Sequence, residues 1–518
     1  MASNLRVGVD VGGTNTDAVV MVGDAVAASV KVPTTDDVTG GILSALTELF
    51  SDTDLSPASI VAVMIGTTHF TNAVVEASGL TPTAVIRLGL PATSSLPPLV
   101  DWPRRLVQAI GNHAYMCRGG HEYDGREIAP LDHEGLRRIV EEAALAGVRS
   151  FAITSVFSPV NPEFEHEAAS IIKETVDGAS VSLSSEIGRI GLLERENATA
   201  MNACLIDLAN RIVHAFETAV TGFGISAPLY ISQNDGTLMN ADYARQYPVA
   251  TFASGPTNSM RGAAFLSGLT DCAVVDVGGT TSDVGVLVSG FPREASATVD
   301  ICDVRTNFRM PDLISIGLGG GSLIRDLEFP TVGPDSVGFR LPSRSLVFGG
   351  DTLTATDIAV AAGLTTIGDP GLVAHLDPML VARARTAMQD SLAEAVDRLK
   401  IRPEDVPLVA VGGGSFLVEQ HLPGTSKVVM PDNGPVANAI GAAIAQVGGE
   451  VDRIFSLQEV SREEVLDLAR QEAIQRTIDA GASSDTVEIV EVEEVPLSYL
   501  PSSAVRVRVK AIGDLEFT

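Results

Sequence analysis

Two aspartates, each followed by a pair of glycines and then by hydroxyl side chains, carry the strongest chemical signal in the chain. Residues 7–20 read VGVDVGGTNTDAVV and residues 273–286 read AVVDVGGTTSDVGV. Asp10 maps onto Asp276, Gly12 and Gly13 onto Gly278 and Gly279, Thr14 onto Thr280 and Asp17 onto Asp283, all at one offset of 266 residues. A single copy is explained by a tight hairpin, because paired glycines accept turn backbone angles without penalty. Two copies with the same acids and hydroxyls point to one polyphosphate held between two hairpins. Glycine turns let backbone N–H groups approach phosphate oxygens, and Thr14, Asn15, Thr16, Thr280 and Thr281 add polar side chains. A carboxylate beside phosphate needs a cation. Asp10 and Asp276 suit Mg²⁺, which keeps much of its water and pairs one or two carboxylates with phosphate oxygens.

A third glycine run, AVGGGSF at 410–416, follows a strand and fits the platform for an adenosine, with Gly412, Gly413, Gly414 and Ser415 allowing close approach. The expected ligand is therefore ATP with Mg²⁺. In GTTHFTNAVVE, residues 66–76, a strand end meets a helix start, where N–H groups and hydroxyls can hold an anion. His69 there is either a hydrogen-bonded structural residue or a substrate contact and proton carrier. IGLGGGS at 316–322 is either a plain loop or a phosphate or substrate loop. ERENATAMNA at 194–203 places Glu194 on a helix between the two repeat copies, as a solvated charge or as a carboxylate that orients water. The polar run containing His113, His121, Glu122, Asp124 and His133 matches no zinc spacing, and Asp124-Gly125 marks it as a turn.

The elements that must hold these residues alternate between strand and helix. The first repeat predicts a strand meander, which removes the Walker loop and the dinucleotide fingerprint, since both put their glycines at the start of a helix. IVAVMIG, TAVIRL and SFAITSVF read as strands, and LDHEGLRRIVEEAALAG as a helix capped by Asp132 and stopped near Gly147. After the second repeat come VPLVAV, SKVVMP and a helix expected over GPVANAIGAAIAQVGG. Parallel sheet covered by helices is the natural assembly. The expected organisation is a first half over 1–193, a second half over 194–450 that includes the linking helices, and a small α+β segment over 451–518 with a capping box at Ser461 and Glu464.

Totals narrow the classes. A chain of 518 residues exceeds one compact core, and only 5% is aromatic, which suits an α/β enzyme. With 35 basic and 65 acidic residues the formal charge is -30, so nucleic acid is not an expected partner. Four separated cysteines form neither a zinc pattern nor a disulfide framework. The start of the chain shows no signal peptide and no apolar run matches a membrane span, so a soluble cytoplasmic protein without membrane contact is expected.

The arrangement resembles the superfamily of actin, sugar kinases and heat-shock chaperone ATPases, in which two related domains close on ATP. It resembles more closely the hydantoinase and 5-oxoprolinase family, in particular its ATP-binding A subunit. VGVDVGGTNTDAV, GTTHFTNAVVE, ERENATAMNA, SGPTNSMRGAA, VVDVGGTTSDVG and IGLGGGS carry that likeness in order from Val7 to about Gly448. The resemblance implies a hydrolase that activates a cyclic amide such as a hydantoin, a lactam or 5-oxoproline with ATP, or a ketone carboxylase. It also implies a hydantoinase B-type subunit on a separate chain and a hetero-oligomer. A small-metabolite kinase and a partner-activating ATPase are the competing readings.

Overall fold

The computed structural model describes residues 5–516 apart from 36, 52, 296–297, 309, 327, 458–459 and 498–503. Strand Leu5–Val11 pairs antiparallel with Asn15–Val22, which pairs antiparallel with Ala25–Pro33. The expected meander is present. On its other side Leu5–Val11 pairs parallel with Ile60–Thr67, and the sheet continues through Leu229–Ser232 and Thr237–Asn240 to Gln446–Ser456, Ala504–Gly513 and Glu488–Pro496, nine strands in all. The strands of the 451–518 segment thus extend the sheet that begins at Leu5.

The second hairpin repeats the first. Cys272–Val277 pairs antiparallel with Ser282–Val288 and parallel with Val406–Val411, beyond which lies Thr425–Val429. A separate sheet of four parallel strands, His113–Arg118, Thr83–Leu90, Ser150–Ser155 and Ser180–Leu183, carries helices His133–Leu145 and Glu163–Thr175 over its own apolar core. The molecule is a mixed α/β structure with parallel pairing in each of its three larger sheets, beside two antiparallel two-stranded ribbons. Asp132 caps its helix by accepting from the Gly135 N–H, and Ser461 and Glu464 form the reciprocal capping box.

One expected helix is shorter. Its chain turns extended at Ala445, so the helix is Ala437–Ile444 and the glycines at 448 and 449 lie in strand Gln446–Ser456. Two neighbouring strands recruit this segment, Thr237–Asn240 and Ala504–Gly513. Gly449 also lets helix Arg462–Asp479 rest on the strand, because a Cβ there would lie 2.5 Å from the Thr477 nitrogen. Tertiary pairing overrides the local apolar helix pattern.

Helices Ser254–Ser267 and Ala437–Ile444 cross between the nine-stranded sheet and the second hairpin's sheet. The first leads from the nine-stranded sheet into strand Cys272–Val277, and the second leads from Thr425–Val429 back to Gln446–Ser456. They touch backbone to backbone. A Cβ on Gly262 would fall 1.9 Å from the Ala437 carbonyl oxygen, and one on Gly441 would fall 1.8 Å from that of Asn258. Gly262→Val should therefore cost at least about 2 kcal/mol by overpacking or prevent soluble expression. Gly222→Ala, whose Cβ would meet nothing within 4 Å, should be neutral or slightly stabilising. Urea unfolding distinguishes them, and equal midpoints would show that the crossing tolerates side chains.

Candidate functional site

Both hairpins end in the same local device. In the first turn the Gly12 N–H donates to the Asn15 carbonyl at 3.0 Å, and in the second the Gly278 N–H donates to the Thr281 carbonyl at 2.9 Å. Across the strands Asp10 stands opposite Asp17, and Asp276 opposite Asp283. The chain thus builds two cross-strand acid pairs, one per copy.

The third glycine run joins the second turn. The Gly414 N–H donates to the Val277 carbonyl, and Gly412, at φ +86°, lies so close to Asp276 that a Cβ would meet its Oδ1 at 2.2 Å. At the tips the space is open: a Cβ on Gly13 or Gly413 would meet nothing nearer than 3.8 Å, and one on Gly279 nothing within 4 Å. Locked glycines alternate with open ones, which leaves three bare turns able to accept a bulky ligand at close range. Ser415 opens a 3₁₀ turn, Ser415–Leu417, directly after this loop.

Asp10 and Asp17 are buried, whereas Asp276 and Asp283 keep part of their surface exposed. Asp10 is 4% exposed, its Oδ2 accepts from the Asn438 amide at 3.0 Å, and its Oδ1 has no hydrogen-bond partner. Burial, then the neighbouring Asp17, push its pKa up to about 6 against the pull of the Asn438 and Asn258 amides, with a further upward push from Asp276. Burial also raises Asp276, which accepts from the Ser259 hydroxyl, and raises Asp283 to about 6 while the Ser315 hydroxyl donates to it. Asp17 is held by Lys31 at 2.6 Å and by the same Asn438 amide at 2.7 Å. Lys31 further acts on Asp276 through its charge, and its Cε lies 4.0 Å from the Cβ position of Gly413.

Such crowded carboxylates call for positive charge. Among the described residues no group of three or more His, Cys, Asp or Glu forms a metal cage. The donor set instead fits Mg²⁺ in the manner that uses one or two carboxylates with phosphate oxygens. The orphaned Oδ1 of Asp10 is the atom such an ion would satisfy.

The flanking motifs fall into two groups. GTTHFTNAVVE lies against the first turn: the Thr68 N–H donates to the Val11 carbonyl, and Asn72 approaches Gly13. His69 begins helix His69–Glu76, shares a 2.7 Å hydrogen bond with the Thr67 hydroxyl through Nδ1, and has its pKa lowered by burial, which favours the neutral ring. IGLGGGS lies against the second turn, where Gly320 and Gly321 donate to the carbonyls of Gly278 and Gly279. ERENATAMNA serves packing. Arg87 and Glu196 form a bidentate pair at 2.7 and 2.6 Å, both 1% exposed or less, and Arg195 donates to the Ser184 hydroxyl and to backbone carbonyls including that of Ser155. Glu194 sits half-buried at the head of the 31-residue helix Leu192–Gly222, against Gly191, and among the described residues no hydrogen bond links it to the hairpin acids. The run from His113 to His133 spans strand His113–Arg118, a turn at Asp124-Gly125 and the start of helix His133–Leu145, with Asp124 on Arg126 and His133 on Glu167, whereas His121 is buried and bonded to Asn161.

Lys31, Ser259, Asn438, Asp17 and Asp283 were not singled out as site residues by the sequence. The two aspartates carried a usable signal in the repeat itself. The other three approach the site only through the fold.

Two models of one family match this chain: the hydantoinase/oxoprolinase N-terminal region over 6–176 and hydantoinase/oxoprolinase over 195–368. The chain belongs to the hydantoinase/oxoprolinase family. It is 24% identical to the caprolactamase subunit alpha of Pseudomonas jessenii over 92% of this chain and 75% of that one. It is 27% identical to the acetophenone carboxylase gamma subunit of Aromatoleum aromaticum over 52% of this chain but only 38% of that subunit. The crystal structure of the ATP-dependent caprolactamase shares the fold at a TM-score of 0.79, with 20% identity, 99% of this chain covered and 88% of that one. In this hydantoinase/oxoprolinase chain the first matched region holds the Asp10 turn and the second holds the Asp276 turn and the glycine loop at 317–321. No helix among the described residues is long and apolar enough to cross a membrane.

Losing one partner of a buried ion pair leaves an uncompensated charge. Arg87→Met should thus destabilise the protein by about 3–5 kcal/mol, whereas Glu194→Gln should leave stability within about 0.5 kcal/mol. Urea titration of the two variants checks both, and a stable Arg87→Met protein would remove the packing role assigned to ERENATAMNA.

Proposed function

We propose that the chain is the ATP-using subunit of an enzyme that activates a cyclic amide, a hydantoin, lactam or 5-oxoproline-like ring, for opening. One observation carries this reading. Two related hairpins present bare glycine turns and paired aspartates toward one another, in a family whose caprolactamase relative is ATP-dependent. In this reading the two hairpins belong to two related actin-like ATPase halves, and ATP lies between them on the turns at 12–16, 278–281 and 412–415. Lys31 supplies the permanent positive charge beside the phosphates. Bound Mg²⁺ would neutralise phosphate charge, with Asp10 and Asp276 as its carboxylate ligands.

An amide carbonyl is a poor electrophile because nitrogen donates into it. Transfer of the γ-phosphoryl to the carbonyl oxygen, with ADP as leaving group, withdraws that density. Water then adds to the carbon, the C–N bond breaks with nitrogen taking a proton, and a second water releases phosphate from the resulting acyl phosphate. The demands on the protein are positioning and charge neutralisation. His69, neutral and anchored by Thr67, is positioned to exchange a proton near the first turn, and Glu194 is the second candidate for orienting water. A ketone in place of the amide is the second reading, favoured by the similarity to the acetophenone carboxylase gamma subunit. The hydrolytic step is assigned to a hydantoinase B-type partner in a cytoplasmic hetero-oligomer.

Asp10→Asn and Asp276→Asn should each lower Mg²⁺-dependent ATP turnover at least tenfold, about 1.4 kcal/mol in the barrier, measured with a panel of hydantoins, lactams and ketones as stimulants. Unchanged turnover in both variants would overturn the assignment. Ring opening by the lone chain as fast as by its mixture with the B-type partner would overturn the two-component reading.

A further inference from the structure

The hairpins have a second pair of ends. Strand Leu5–Val11 reaches Asp10 four residues after Arg6, so Arg6 lies roughly 13 Å away along the strand, at a rise of about 3.3 Å per residue. At that far end the strands turn at Gly23-Asp24 in the first copy and at Ser289-Gly290 in the second, positions related by the same 266-residue offset. Between these two turns lies a cavity of about 670 Å³. Its wall includes Met64 from the nine-stranded sheet, Thr270 from the start of the second hairpin, and the C-terminal ends of both crossing helices at Gly268 and Ala445. The same two helices carry Ser259 to Asp276 and Asn438 to Asp10 nearer their other ends. The cavity and the aspartate site therefore share their two connecting elements.

The lining is charged in a balanced way. Arg6 spends one nitrogen on the Gly23 carbonyl at 2.7 Å, and Arg261 spends one on the Gly290 carbonyl at 2.9 Å, while the Nε of each is buried without a hydrogen-bond partner. Arg261 is held in place over the Phe291 ring at 4.0 Å and reaches Gln446 at 3.4 Å. Against these two guanidiniums stand Asp24 and Asp514, the latter accepting from the Gln446 amide at 2.9 Å. Helix C-termini add partial negative charge at the same wall. A simple anion would meet two carboxylates, and a simple cation two guanidiniums. Asp24 and Asp514 both act on Arg6 through their charge, so a molecule that carries a carboxylate and an ammonium meets a partner for each.

We propose that this rear cavity is a second binding site, for a small zwitterionic amino acid whose carboxylate takes the spare N–H groups of Arg6 and Arg261 and whose ammonium faces Asp24 and Asp514. The volume holds a molecule of that size with room for water. Because an occupant would bridge both halves behind the crossing helices, it would bias the spacing of the hairpin turns at the far end. An amino acid is also what opening a lactam produces, so the site would sense product. That last step rests on the function proposed above, whereas the binding itself does not.

The test is isothermal titration of the full chain without nucleotide, using 6-aminohexanoate and glutamate as zwitterions, hexanoate, hexylamine and inorganic phosphate as controls. At least one zwitterion should bind at least fivefold tighter than hexanoate, hexylamine and phosphate. Arg6→Ala should weaken it tenfold or more, and Thr270→Trp, which fills the cavity mouth, should do the same if Arg6→Ala fails to fold. Phosphate or hexanoate binding as tightly as the zwitterions would overturn the proposal in favour of a plain anion site. Zwitterion binding unaffected by both variants, or no binding at all, would overturn it outright. These outcomes are read without ATP, so failure of the nucleotide assignment leaves the result interpretable. A separate titration of ATP with and without the amino acid reports the coupling, where equal affinities would confine the proposal's failure to regulation.

Discussion

Two helices packed backbone against backbone, with no side chain between them at the closest points, hold this molecule's chemistry in place. Gly262 against Ala437 and Gly441 against Asn258 bring helices Ser254–Ser267 and Ala437–Ile444 closer than any side chain would allow. From that contact the first helix delivers Ser259 to Asp276 and the second delivers Asn438 to Asp10 and Asp17. Widening the crossing by one methyl group would move two hydrogen-bond donors away from buried carboxylates that have few others. Small residues at the crossing therefore serve the site as much as the fold.

The acids illustrate how burial and pairing compete. Desolvation favours the neutral form of Asp10, Asp276 and Asp283, and the charge of Asp17 adds to it for Asp10. Ser259 opposes this for Asp276, and Lys31 and Asn438 both hydrogen-bond to Asp17. Asp10 is left with an oxygen that no protein group satisfies. A buried polar atom without a partner is costly in a folded protein, and this one lies beside Gly66.

The Arg87–Glu196 pair and the bonds of Arg195 lock helix Leu192–Gly222 to the four-stranded sheet.

Much was legible without coordinates. The hairpins, their glycine turns and the capped helices at Asp132 and Ser461 follow from local pattern, because turns and caps are decided by neighbouring residues. The duplication raises the expectation of a ligand shared by two turns. Three things lay outside that reach. The Asn438 amide is 428 residues from Asp10, and nothing in an alanine-rich helix marks it as a ligand of two aspartates. Lys31 looks like any alternating strand residue until Asp17 appears beside it and Gly413 before it. The segment after Ala445 has the composition of a helix but is drawn into a strand by two partners that the local pattern does not contain. Local chemistry was determined by the sequence because its energies are set within a few residues. The company each acid keeps was decided by tertiary structure, because burial and charge depend on every element packed around it.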